Sequence, residues 1–300
     1  MQNSFQRIDI SLLGHILALC GIGSRLSLQL TCKQFRDALH KYTLVLDFST
    51  STGISLYNSK ILKMIQNSPN LQQLGLAHNY WLNSFDLSNA LGDHSSLTNI
   101  NLIGLDKIDD SVVAEFFFRN HHLHHLQLDL CPIEDGAIFI LTRQKELEYL
   151  SLRQTNVTSQ SFILINPQSF PRLKHLDLSL LRYSLNDQAI SCIAQACPLL
   201  EYLSLYGSYE VTDQSIIILA RQLQHLNQLS LRGLKLITDL SVIVICVWCQ
   251  RIKKLVLTGC VKLSAASLFV IAGQRWIPMS QEAQNNTQSF ILCWCNRSDM

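Results

Sequence analysis

One pattern recurs along the chain at a nearly fixed interval, and it restricts the fold more than any other feature. Segments of the form Leu-x-x-Leu-x-Leu begin at Leu71, Leu97, Leu123, Leu147, Leu173, Leu200, Leu226 and Ile252, in steps of 26, 26, 24, 26, 27, 26 and 26 residues. This spacing fits a short strand with one apolar face turned inward. A second pattern follows in phase: IDDSVV from Ile108, IEDGAI from Ile133, LNDQAI from Leu185, VTDQSI from Val211 and ITDLSV from Ile237. Weaker copies are LNSFDL from Leu82, VTSQSF from Val157 and LSAASL from Leu263. The unit is clearest from Leu200 to Leu219. A strand carrying Leu200, Leu203 and Leu205 leads into a turn at residues 206–210, and then into an apolar run at Ile216, Ile217, Ile218 and Leu219. Asp213 is placed to cap that run, because a carboxylate can accept the unpaired N–H groups of a first helical turn.

One strand and one helix cannot bury their apolar faces alone, so the units must stack. The period lies in the range of leucine-rich repeats. The expected fold is therefore an α/β leucine-rich-repeat solenoid, a horseshoe with parallel strands inside and helices outside. It is preceded by a short N-terminal helical module. The expected division is a helical module at residues 1–41, an irregular leading repeat at 42–70, eight repeats at 71–273 and a non-repeat tail at 274–300, poorly ordered or draped over the last repeat. In the leading repeat, Leu44, Leu46 and Phe48 alternate as in a strand, and Ile61, Leu62, Met64 and Ile65 suggest a helix.

Charge argues against some functions. Charged residues make up 15% of the chain, against about 25% in an average domain, and the formal net charge is +2. No basic tract points to nucleic acid and no long apolar run points to a membrane span. The ten cysteines do not read as a disulfide framework. Cys197 and Cys249 sit three residues before the first leucine of their strands, and Cys131 and Cys260 three residues after the last one. These are register positions for small apolar side chains, so reduced structural thiols are expected, with the protein in the cytoplasm and/or nucleus. Gly14 and His15 interrupt the apolar stretch that follows Arg7, and it continues as an amphipathic helical pattern, which reads as part of the fold and not as a secretory leader.

In that N-terminal stretch, Leu12, Leu13, Ile16 and Leu19 or Cys20 fall on one helical face. Ile8-Asp9-Ile10-Ser11-Leu12-Leu13-Gly14-His15-Ile16 resembles the opening of an F-box, Leu-Pro-x-Glu-Leu-Leu-x-x-Ile. Leu26 and Thr31-Cys32-Lys33-Gln34-Phe35-Arg36 resemble its second half, Val-Cys-Lys-x-Trp-Arg. Asp9 stands where the motif has Pro, Ser11 where it has Glu, and Phe35 where it has Trp. With the repeats that follow, residues 8–273 resemble the F-box/leucine-rich-repeat proteins, in particular those with cysteine-containing repeats. The resemblance implies a substrate-recognition adaptor of a Skp–cullin–F-box type ubiquitin ligase, itself non-catalytic. Leu12, Leu13, Ile16, Leu26 and Phe35 would dock on the Skp adaptor and so reach cullin. The same residues also allow another reading: a helical cap over the first strand, with the repeats as a stand-alone protein-binding scaffold.

No phosphate loop, GxSxG elbow or HExxH motif is present, so no catalytic residue, cofactor or metal is expected. His121-His122-Leu123-His124-His125 straddles the start of a strand, where successive side chains diverge, and reads as surface histidine rather than a metal site. The strand residues between the leucines are more informative. Just before the middle leucine stand His125, Tyr149, His175 and Tyr202 in consecutive repeats. Asp129, Arg153, Asp177 and Tyr206 stand beside them. Tyr and Arg are enriched among interface anchors, so these eight residues are the expected contact strip for a target protein on the concave face. Cross-strand stacking that merely stabilises the sheet is the other reading of the same rings.

Overall fold

The computed structural model describes residues 16, 20, 24, 25, 27, 33–49, 58–92 and 94–267. Leu12, Leu13 and Leu26 of the expected docking set, and the tail at 274–300, lie outside the described residues. The chain divides into two compact units, Met1–Pro132 and Ile133–Met300.

In the first unit the elements run α1 (Lys33–Tyr42), β1 (Val45–Asp47), α2 (Asn58–Gln66), β2 (Gln73–Gly75), α3 (Ser84–Leu91), β3 (Asn99–Asn101), α4 (Asp110–Arg119) and β4 (His125–Gln127). In the second they run α5 (Asp135–Leu141), β5 (Tyr149–Ser151), α6 (Ser159–Ile163), β6 (His175–Asp177), α7 (Asp187–Ala196), β7 (Tyr202–Ser204), α8 (Asp213–Gln222), β8 (Gln228–Ser230), α9 (Asp239–Trp248) and β9 (Lys254–Val256). Within each unit every strand pairs in parallel with the next, and the middle leucine slots align: Leu46 with Leu74 and Ile100, and Leu176 with Leu203 and Leu229. Strand and helix alternate with a common register, which is the leucine-rich-repeat fold expected from the period.

The core of each unit is the layer between strands and helices. Leu71, Leu97, Leu123, Leu147, Leu173, Leu200 and Leu226 are all fully buried. Burial of one such side chain contributes about 1.5–3 kcal/mol, so the recurring leucine is the main term holding repeat to repeat. The 27-residue step leaves the register intact because its extra residue falls in the turn at residues 178–185. The cysteine positions are general core slots. The slot of Cys197 and Cys249 is filled elsewhere by Ser68, His94, Asn120, Gln144, Phe170 and Leu223, all buried. Two of the polar occupants are satisfied locally: Ser68 Oγ donates to the Met64 carbonyl at 2.7 Å and Asn120 Nδ2 to that of Phe116 at 2.9 Å, whereas among the described residues Gln144 Oε1 accepts no hydrogen bond. Cys131 and Cys260 donate to the carbonyls of Leu102 and Leu231 at 3.1 and 3.0 Å, so each thiol fastens its repeat to the one before.

Two local expectations need correction. Leu44 is not an inward strand residue, being 44% exposed. The register pairs Val45 with Gln73, so Thr43, which is buried, takes the first-leucine slot. Asp213 does not cap its own helix. Thr212 does, its side chain accepting from the Gln214 N–H. The Asp213 carboxylate reaches the next repeat, accepting from the N–H and Oγ of Thr238 at 2.8 and 2.7 Å and from Ser241 Oγ. Asp187 does the same for Thr212 at 2.8 and 2.5 Å and for Ser215 at 2.5 Å. Asp239 does so for Ser264 at 2.9 and 2.5 Å and for Ser267. Asp135 does so for Thr158 at 2.7 and 2.6 Å. Each of these carboxylates secures the Thr or Ser that caps the following helix, so the aspartates form an inter-repeat ladder.

Candidate functional site

The candidate site is the open face of the strands, opposite the helices. Alternation along each three-residue strand sends the middle leucine into the core and its two neighbours to the open face. In the second unit the register then brings Tyr149, His175 and Tyr202 side by side. Their rings stack face to face: 4.0 Å and 11° between Tyr149 and His175, and 3.9 Å and 5° between His175 and Tyr202. Both tyrosines are half-buried. Burial pushes the Tyr202 phenol up, and the nearby Asp177 carboxylate adds to that, against a hydrogen bond from Ser204. The Tyr202 phenol is therefore a neutral O–H group at ordinary pH.

Beside the rings runs a floor of Ser151, Asp177 and Ser204, all buried. Asp177 was expected in the contact strip. It is only 7% exposed, and its carboxylate accepts the Ser179 N–H at 2.9 Å with Arg153 Nε at 3.8 Å. Ser179 and Ser204 share a hydrogen bond of 2.7 Å. Small, mutually bonded side chains let the face lie low between two taller rows. The second tall row is Arg153, Tyr206 and Arg232. Arg153 and Arg232 are exposed, Tyr206 is half-buried, and the Arg232 guanidinium lies 4.8 Å from the Tyr206 ring centre.

The backbone under this second row is fixed by a feature that leucine spacing did not reveal. Two residues after the last strand leucine, the chain enters the left-handed region in every repeat: His78 (φ 62), Gly104 (φ 73), Leu130 (φ 61), Gln154 (φ 55), Leu180 (φ 54), Gly207 (φ 87), Gly233 (φ 74) and Gly259 (φ 78). Within each unit that turn points the N–H of His78, Gly104, Gln154, Leu180, Gly207 and Gly233 at the next repeat. Gln154 donates to the Ser179 carbonyl at 3.1 Å, Leu180 to that of Tyr206 at 2.7 Å, and Gly233 to that of Thr258 at 2.8 Å. The parallel ladder thus continues beyond the strands and holds the contact residues on rigid backbone. The sequence signal was the glycine at this offset in four repeats; the side chains at the other four hid it.

His125 and Asp129 belong to the first unit, on β4 and in the turn after it; both are half-buried. Burial pulls the His125 imidazole down from its ordinary value, opposed by a hydrogen bond with Gln127. Leu123 is fully buried, while His121, His122 and His124 are exposed. Among the described residues no group of three or more His, Cys, Asp or Glu is placed to hold a metal ion. None of their helices is long and apolar enough to cross a membrane. Of the expected docking residues that are described, Ile16 is 48% exposed and Phe35 half-buried. Arg25, between them in sequence, donates to the Val45 carbonyl at 3.0 Å, which ties this residue to β1.

The fold and the site define a leucine-rich-repeat array with a rigid, ring-lined open face. No family model matches the chain, and no curated protein matches it. Among solved structures it is similar to a chain of the crystal structure of the Rad7 and Elc1 complex in yeast, with a TM-score of 0.49 and 16% identity, over 70% of this chain and 68% of that chain. A likeness of that size carries no argument about role or partners.

Proposed function

We propose that this chain is the substrate-recognition adaptor of a Skp–cullin–F-box type ubiquitin ligase. The N-terminal module docks on the Skp adaptor, which carries cullin, and the open strand face holds the target protein. The observation that carries the reading is the F-box-like sequence at residues 8–16 and 31–36 running directly into an in-register repeat sheet whose contact rows are held on fixed backbone. The chain makes and breaks no bond itself. It holds a target lysine near a charged conjugating enzyme, and acts by proximity. That role is exercised in the cytoplasm and/or nucleus.

The test is co-purification with the Skp adaptor. Leu12→Ala with Leu13→Ala abolishes it while the repeats stay folded. Tyr149→Ala with Tyr202→Ala leaves adaptor docking intact and weakens capture of the target, because truncating anchors of this kind costs about 2 kcal/mol or more. Failure of the wild type to bind the adaptor would favour the second reading, a stand-alone binding scaffold. Asp9 and Ser11, in the places of the motif's Pro and Glu, are the observation on that side.

A further inference from the structure

The sign of the charge that the open face offers is not the mixed one its residue types suggest. In the second unit the exposed ionic side chains of that face are Arg153, Arg232 and Lys254, all cationic. Its carboxylate, Asp177, is buried, accepts the Ser179 N–H and lies 3.8 Å from Arg153 Nε, whose side chain is itself 49% exposed. The turns that border the face add exposed Arg182, Lys235 and Lys262 against exposed Glu210. The ladder aspartates Asp187, Asp213 and Asp239 keep their charge, but they are half-buried and turned to Thr and Ser donors of the next repeat. The other acids lie at the opposite edge, where the strands begin. There Glu148 pairs with Lys174 at 2.8 Å and Glu201 accepts from Asn227 at 3.2 Å.

The rings add contact area to this face. Stacking covers both faces of His175 and one face of each tyrosine, and the Tyr202 phenol is hydrogen-bonded with Ser204. The exposed cations beside them call for a partner rich in anionic acceptors. Nucleic acid fits less well, because bases bind such sheets by stacking on open ring faces.

We propose that the open face of the second unit takes an extended, acid-rich segment of the target protein, its carboxylates meeting Arg153, Arg232 and Lys254. This inference rests on the open face being the target site. Strands lie about 5 Å apart, so β5 to β9 span about 20 Å, the length of about six extended residues.

The experiment titrates the full chain against a labelled Glu-rich peptide of about six residues, matched to that span, and against the same peptide with Gln for Glu. The expected result is tighter binding of the Glu peptide, weakening as salt screens the charges. Arg153→Gln with Arg232→Gln weakens it about tenfold or more, while Lys60→Gln with Lys63→Gln, an equal charge change on α2 of the first unit, leaves it unchanged. Three results overturn the proposal: no preference for Glu over Gln, equal weakening by both pairs of substitutions, or tighter binding of a single-stranded RNA of the same charge. The Skp adaptor is absent from this assay, so its failure leaves adaptor docking standing, and failed adaptor docking leaves this result standing.

Discussion

Replacing Asp213 by Ala separates the ladder from ordinary helix capping. The carboxylate receives the Thr238 N–H at 2.8 Å, the Thr238 hydroxyl at 2.7 Å and the Ser241 hydroxyl. A hydrogen bond to a charged group contributes about 1.5–3 kcal/mol. The bonds share one partly exposed acceptor and water replaces part of what is lost, so a total of about 2–3 kcal/mol is expected, in the range of a lost helix cap. The loss should fall on the wrong repeat from the standpoint of local sequence, namely at the N-terminus of α9 and not of α8. Hydrogen exchange reads this directly. At 2 kcal/mol the amides of residues 238–242 should exchange about 30-fold faster, since each 1.4 kcal/mol is a factor of ten, with residues 214–217 little changed. Thr212→Val should give the converse pattern. Burial works to raise the Asp213 carboxyl, but the hydrogen bonds from Ser241 and Thr238 outweigh it and hold the group below its ordinary value. A lowered folded value means that the stabilisation is complete above the unfolded carboxyl's pKa of about 3.9 and lost as pH falls through the folded value. Wild type and variant should therefore differ fully at neutral pH and converge in acid. Faster exchange centred on residues 214–217 would refute the ladder and restore Asp213 as a cap of its own helix.

Leu203 is fully buried in the middle slot of β7, and Leu203→Asp should unfold that part of the array, because an unpaired buried carboxylate is strongly unfavourable. Melting within about a degree of the wild type, where 1 kcal/mol shifts Tm by about 2–4 °C, would contradict the register. Among the described cysteines, native alkylation followed by mass spectrometry should modify the half-buried Cys20 and Cys192 well before Cys131, Cys197 and Cys249. Burial pushes the thiols of Cys131 and Cys249 up to about 12 and raises that of Cys197, which removes the reactive thiolate. Rapid labelling of Cys197 in folded protein would show that its slot opens. Gly207→Leu should destabilise its turn by about 1–2 kcal/mol in chemical denaturation, since φ is 87° there and the added Cβ would sit 3.3 Å from Leu180 Cδ2. Unchanged stability would mean the turn can relax out of the left-handed region.

The repeats were legible because a parallel sheet imposes one register on every strand, and a shared register appears as a fixed leucine period. The stack of Tyr149, His175 and Tyr202 was legible for the same reason: equal offset from the buried leucine means adjacency across strands. The ladder was harder to see, since capping rules look within one helix, whereas Asp213 acts on Thr238 in the next repeat. Its trace is the recurrence of Thr-Asp-x-Ser at residues 212–215 and 238–241. The burial of Asp177 was not legible, because residue type gives its charge but not the neighbours that cover it. Leu44 was misjudged because strict alternation puts it two residues before Leu46, whereas the repeat puts its first buried slot three before the middle one, and pairing with β2 shows that Thr43 holds it.

The central claim is that residues 8–36 join the repeats to a ubiquitin ligase through the Skp adaptor. Isothermal titration of the purified full-length chain with purified Skp adaptor tests it most directly. The account predicts saturable one-to-one binding with Kd of about 1 μM or tighter, corresponding to about −8 kcal/mol, and its loss in the Leu12→Ala, Leu13→Ala variant. Binding that persists unchanged in that variant, or no binding by folded wild type at adaptor concentrations of about 100 μM, near −5.5 kcal/mol, would contradict it.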